Sequence, residues 1–198
     1  MEIMNAENFD GVNVLWVYGQ LSQPGDEQRF TLLMKELRDQ LAPQGKLLTA
    51  SVSGVIADIG NSYEIFELSR IVDFFNVMTF EVDLGIPPEF PNAEAAMQHF
   101  VTAGALAIQL NMGIATYGIG QDPDVWAKYE VCQDNPIGVS IDSDATIIAK
   151  VDYIKTKGFG GVYVKSLDLD DFNGNYCKQG DYPVIQLIKA CCVEESFP

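Results

Sequence analysis

Phe9-Asp10-Gly11-Val12-Asn13-Val14-Leu15-Trp16-Val17-Tyr18 holds an alternating β-strand near Gly11–Tyr18, rich in β-branched and aromatic residues and entered through an Asp-Gly turn. Four further runs of this kind follow, near Lys46–Ser53, Phe74–Phe80, Gln109–Tyr117 and Gly161–Leu167. Apolar strands separated by helical patterns are the signature of βα units and a parallel sheet buried on both faces.

The intervening segments carry the helical period. Phe30, Leu33, Met34, Leu37 and Leu41 recur at helical spacing over Asp26–Leu41, after the turn Pro24-Gly25 and before Pro43 and Gly45. A second helix is predicted over Ser143–Lys157 with Ile147, Ile148, Val151 and Ile154 inward, Asp142 or Ser143 as cap and Gly158 as the left-handed stop. Less regular helices are expected over Tyr63–Ile71 and Asn92–Ala103, and a short one from Pro183 through Ala190. The stretch Gly118–Val139 breaks the rhythm with Gly, Asp and Pro and predicts no regular element. Five βα units suit either an open doubly wound sheet or part of an eightfold barrel of about 250 residues, and periodicity alone does not choose.

Composition narrows the function classes. The chain has 198 residues, 47% of them hydrophobic, enough for one domain with a sizeable core. Twelve basic against 28 acidic residues give a formal charge of −16, a field that repels nucleic acid and anionic lipid surfaces. No run of about 18 apolar residues could span a bilayer. Met1 to Asp10 carry acidic charge where a secretion signal has a basic start, so no such signal is expected in the chain as given. Four cysteines without zinc spacing predict no metal, and no cofactor is expected.

The opening stretch resembles the catalytic strand of the family-18 glycoside hydrolases, whose pattern is F-D-G-x-D-x-D-W-E-Y. Four more segments resemble that family in its own order: Leu48–Ser53, Phe74–Glu81, Gly113–Gly118 and Val164–Phe172. The resemblance implies an α/β fold, a partial (β/α)8 barrel holding about strands four to eight, with the family's insertion domain largely absent. Residues 1–198 are then one partial barrel domain, with 118–139 the remnant of the insertion.

In that family the substrate's own N-acetyl oxygen attacks the anomeric carbon while a glutamic acid protonates the leaving oxygen. Here the acid's position matches Val17 and the neighbouring aspartate positions match Leu15 and Asn13, so only the outermost aspartate survives, as Asp10. Valine neither donates nor accepts a proton, and no catalytic residue is expected. The tryptophan that floors the central sugar subsite is matched by Lys165, the arginine after the Tyr-Gly pair by Ile119, and a tyrosine by Phe80. A stacking surface of roughly 150–250 Å² is lost with that tryptophan. Glu81 and Tyr117 remain as the ligand-binding candidates.

The resemblance also implies a disulfide between Cys132 and Cys177, worth roughly 4 kcal/mol in the chain-entropy model, and with it an extracellular compartment. Cys191 and Cys192 are adjacent and are free thiols, intermolecular partners or apolar helix residues.

Other chemistry-bearing residues have plainer readings. Asp10 before glycine is a turn residue at a strand start, Trp16 fills core space, and Trp126 could cover the barrel mouth. His99 lies in an amphipathic stretch with no catalytic or metal constellation near it. Asp168, Asp170 and Asp171 cap and solvate a strand end, and Gly118-Ile119-Gly120 lacks the rest of a phosphate loop. Without strands one to three, the strands near Val14 and Val164 lack lateral partners, which predicts self-association through open barrel edges, completion by another chain, or marginal stability. The resulting expectation is a chitinase-like protein without hydrolase activity that binds chitin or N-acetylglucosamine oligomers weakly. A residual chitinase and a signalling protein without carbohydrate binding are its rivals.

Overall fold

A computed structural model of the chain describes residues 6–16, 23–80, 90–120, 139–140, 142–175 and 178–193. Its centre is a five-stranded parallel sheet in the order β1 (Gly11–Leu15), β2 (Leu47–Ser53), β3 (Phe74–Met78), β4 (Leu110–Ala115) and β7 (Gly161–Lys165). A two-residue antiparallel pair, β5 (Ile119–Gly120) and β6 (Val139–Ser140), stands apart from it. The strands expected through Tyr18, Phe80, Tyr117 and Leu167 are shorter than the apolar runs that announced them. Phe80 and Tyr117 lie just past their strands, while Val17 and Tyr18 fall outside the described residues.

Two-residue alternation gives each strand a helix face and an inner face. Leu48, Ala50 and Val52 of β2 are fully buried in the main core with Phe75 and Val77 of β3 and Leu110 and Met112 of β4. Val12, Val14 and Trp16 pack against the same cluster, so Trp16 is a core residue as its alternation implied. Its ring stacks on Phe30 of α1 (Asp26–Leu41), with centroids 5.4 Å apart. Gly25, at φ 89°, opens α1 and Gly45, at φ 66°, closes the turn after it. Phe30, Met34 and Leu41 are buried as expected, but Leu33 is exposed. Thr31 is buried in its place, its hydroxyl donating to the Glu27 carbonyl at 3.1 Å, so the sheet meets α1 on the Thr31 side.

The helix expected over Tyr63–Ile71 is shorter, α3 (Ile65–Ser69), and a further short helix that was not expected, α2 (Ile56–Ser62), precedes it. Tyr63 between them is extended because its side chain is anchored elsewhere: its hydroxyl donates to the Trp16 carbonyl at 2.8 Å and accepts the Ser53 amide at 3.0 Å. One buried phenol thereby ties the C-terminal ends of β1 and β2 together. Tyr63→Phe strands the buried Ser53 amide, and we expect a loss of about 1–3 kcal/mol, measured as a fall in the urea midpoint at unchanged m-value.

Helix α4 (Phe90–Thr102) begins two residues before the expected Asn92 and buries Ala93, Ala96, Met97 and Phe100. In α5 (Asp144–Lys157), Ser143 is the cap, accepting the Thr146 amide at 3.2 Å, and Gly158 at φ 68° is the stop. Asp142 is not the cap. Its carboxylate meets the Lys150 ammonium at 2.6 Å, and both side chains are sealed from solvent. Lys150 rather than Ile148 sits on the inward face, one helical turn after Ile147, and Ile148 is exposed. Helix α6 (Pro183–Val193) runs three residues past Ala190 and packs Val184 and Ile188 against Ile147 and Val151 of α5.

The Asp168-Leu169-Asp170-Asp171 run departs from its expected role. Asp170 and Asp171 are buried, not solvated. Asp170 caps α6 instead of the strand end, accepting the Ile185 amide at 3.0 Å, the Val184 amide at 3.4 Å and the adjacent Asp171 amide at 2.9 Å. The sheet order ends on β1 and β7, and among the described residues neither has a second strand neighbour. No helix of the described residues is long and apolar enough to cross a membrane.

Candidate functional site

The inner face of the sheet is layered. Midway along the strands lies a neutral polar seam. Asn13 of β1 donates to the Ser51 hydroxyl at 2.9 Å and accepts from the Thr49 hydroxyl at 2.8 Å and the Asn76 amide at 3.3 Å. Asn76 of β3 in turn accepts from the Asn111 amide of β4 at 3.1 Å. The register builds this row, setting Asn13 beside Thr49, Ser51 beside Asn76, and Asn76 beside Asn111.

Above the seam, towards the C-terminal strand ends, the inner face turns apolar. Met78, Phe80, Ala115 and Tyr117 form a buried cluster joined by Tyr163 and Leu169. The Phe80 ring crosses β4 where Gly113 has no side chain; a Cβ there would lie 2.6 Å from the ring. Phe80 tilts against Tyr163 with centroids 5.5 Å apart, and the Lys165 ammonium stands 5.3 Å from the centroid of the Phe80 ring. Two hydroxyl ties fix the surrounding backbone: Thr79 donates to the Gly113 carbonyl at 2.7 Å and Thr116 to the Ser166 carbonyl at 2.7 Å. Parallel (β/α)8 barrels place their chemistry at this end of the strands, which makes the Phe80, Tyr117, Tyr163 and Lys165 group the candidate ligand site.

The residues singled out from the sequence separate on this frame. Asp10 is exposed on the bend before β1, at the opposite end of the sheet from the aromatic group, in keeping with its turn reading. Asn13 belongs to the polar seam. Leu15, the last residue of β1, is 60% exposed and presents only an apolar surface. Tyr117 is brought together with Phe80 and Lys165, whereas Val17, Glu81, Trp126 and the Cys132–Cys177 pair lie outside the described residues. His99 is half-buried on α4, and among the described residues no group of three His, Cys, Asp or Glu side chains could hold a metal ion. Cys191 and Cys192 carry free thiols, and Cys191 packs against the α5–α6 cluster. Tyr163 and the Asn76 and Asn111 links were missed. The signal available for the latter was an amide at one inner-face position on each of β1, β3 and β4.

A parallel sheet with helices on one face and an inner face layered towards its C-terminal ends is the architecture of part of a (β/α)8 barrel. The family model for glycosyl hydrolases family 18 matches residues 1–170, and the chain belongs to that family. Mouse chitotriosidase-1 is 28% identical over 259 aligned residues, which take in 96% of this chain and 55% of that protein. The chain thus spans about half the length of this relative, and an alignment longer than the chain's 198 residues means that the relative carries segments absent here. In structure, the chain superposes on catalytic domain 2 of the Ostrinia furnacalis group II chitinase with a TM-score of 0.82 at 23% identity, covering 100% of this chain and 70% of that one. Human YKL-39, described as a pseudo-chitinase with retained chitooligosaccharide binding, superposes with a TM-score of 0.77 at 25% identity, covering 96% and 71%. The relatives are chitinases and chitinase-like proteins, and this is a chitinase-like chain.

Proposed function

We propose that this chain is a non-catalytic member of its family that retains at most weak binding of N-acetylglucosamine oligomers. The reading is carried by β1. The chemistry needs a carboxylic acid aimed at the leaving oxygen and carboxylates behind it. The described positions of that run are an amide tied into a neutral network, Asn13, and an exposed aliphatic side chain, Leu15. Val17 completes the run without a titratable group. YKL-39, a pseudo-chitinase that still binds chitooligosaccharides, offers a precedent for the combination. Tyr117 and Glu81 are the proposed ligand contacts.

Four further assignments belong to this reading. Residues 1–198 form one partial barrel domain in which 118–139 is a reduced insertion. Cys132 and Cys177 are proposed as a disulfide, and the protein as extracellular. The outward backbone groups of β1 and β7 are the proposed route of self-association, since an unpaired parallel edge offers donors and acceptors to another strand.

Two measurements test the function. Homogeneous protein incubated with a chitin oligomer is expected to release no reducing sugar; release that Glu81→Gln abolishes would restore the hydrolase reading. Calorimetric titration with chito-oligosaccharides is expected to show heat only at high ligand concentration. Silence in the millimolar range would remove carbohydrate binding and leave an interaction protein.

A further inference from the structure

Resting on the carbohydrate-binding reading above, we infer that Lys165 turns the ligand preference of the strand-end site towards acidic oligosaccharides, those alternating an N-acetylhexosamine with a carboxylate-bearing sugar.

The inference starts from where the cation sits. Lys165 is the last residue of β7, and the alternation that sends Val162 and Val164 to the helix side turns Tyr163 and Lys165 to the inner face. Its stem is half-buried, and its ammonium is held against the Phe80 ring at 5.3 Å from the centroid. A ring face orients an ammonium and partly offsets its desolvation, but it does not neutralise the charge. Among the described residues no carboxylate lies within 4.0 Å of it: the ion pairs there are Arg29–Asp26, Arg38–Asp73 and Lys150–Asp142. The acid nearest in sequence, Asp168, accepts the Ser166 hydroxyl. In a chain with 28 acidic and 12 basic residues, a cation at an aromatic-lined strand end without such a counter-charge is an uncommon arrangement.

The chemistry that satisfies this site follows. Lys165 offers three N–H donors and no acceptor, so it meets a carboxylate through a charge-assisted hydrogen bond and a neutral hydroxyl through a weaker one. Beside it, the half-buried Tyr163 supplies aromatic surface suited to a sugar ring. The site therefore has a cation for an acid group and an apolar wall for the ring that bears it. The overall charge of −16 and Glu81, the acid among the proposed contacts, oppose the approach of any anion, so discrimination has to come from the local contact with Lys165.

The test is calorimetric titration of the full chain at about 0.15 M salt, where the Debye length is about 8 Å. Three probes of equal length are used: a hyaluronan tetrasaccharide, neutral chitotetraose, and the cationic glucosamine tetramer. The hyaluronan fragment is expected to bind about tenfold or more tightly than chitotetraose, and the glucosamine tetramer most weakly, as a charge-assisted contact requires. Lys165→Met keeps the apolar stem on Phe80 and is expected to erase the difference, whereas Lys165→Arg keeps it. Chitotetraose binding as tightly as the hyaluronan fragment, or the cationic tetramer binding best, overturns the preference and leaves sugar binding intact. Binding by none of the three overturns both. The wild-type comparison decides the matter even if a variant fails to fold.

Discussion

Lys150→Met is expected to destabilise the fold by about 3–5 kcal/mol, the range for breaking a buried ion pair from one side. The ammonium is fully enclosed, and its partner Asp142 lies 2.6 Å away with its side chain equally enclosed. Methionine fills much the same volume, so the loss is electrostatic: a carboxylate remains in the interior with no cation beside it. Burial already pushes the Asp142 carboxyl above the usual carboxylate value, and Lys150 is what draws it back. In the variant the folded pKa moves higher still, and the folded chain binds that proton more tightly than the unfolded chain does. The Asp142 contribution is then fully present below the unfolded value of about 3.9 and is lost as the pH rises through the folded value. Urea unfolding at pH about 4 is therefore expected to show a smaller cost for Lys150→Met than unfolding at neutral pH, and Asp142→Leu in the same chain should recover most of the neutral-pH loss. An equal cost at both pH values, or no recovery in the double variant, would show that packing rather than charge governs this position.

Asp170→Ala is the second large effect, expected at about 2–3 kcal/mol from lost capping and stranded amides together. Helix α6 starts at Pro183, which has no N–H, so the first donors needing partners are Val184 and Ile185. Both find Asp170, a residue on the far side of an intervening loop, and its negative charge also complements the positive end of the helix. Alanine leaves these amides without their acceptor in a place where water does not readily replace it, because Asp170 is buried. Asparagine keeps one carbonyl oxygen and should retain part of the stability. Hydrogen exchange locates the effect: protection at Val184 and Ile185 should fall first, and a loss spread evenly over the sheet would contradict the capping role.

Both residues show where a sequence stops being legible. The five strands and the longer helices could be read because β-branched runs and helical spacing are local signals, and Ser143, Gly45 and Gly158 punctuate them within a few residues. Lys150 could not be read in the same way. A charged residue in a helix defaults to the solvent face, and only the fold shows that Asp142 returns to meet it. The acidic run ending in Asp171 looks equally solvated until α6 is docked onto it. At the candidate site, the resemblance of β1 to a catalytic strand was legible residue by residue. The polar seam was not, because Asn13, Asn76 and Asn111 are distant in the chain and only the parallel register makes them neighbours.

The short β5–β6 ladder has a consequence for how this architecture changes over time. Pairing Ile119 with Ser140 and Gly120 with Val139 fastens the entrance of a connecting segment to its exit. Once two ends are joined, lengthening what lies between them raises the closure entropy only logarithmically, about 0.6 kcal/mol for each doubling. Whole modules can accordingly be gained or shed at this point while β4, α5 and β7 keep their places, so size differences among homologues should concentrate there and leave the pairing of the five parallel strands untouched.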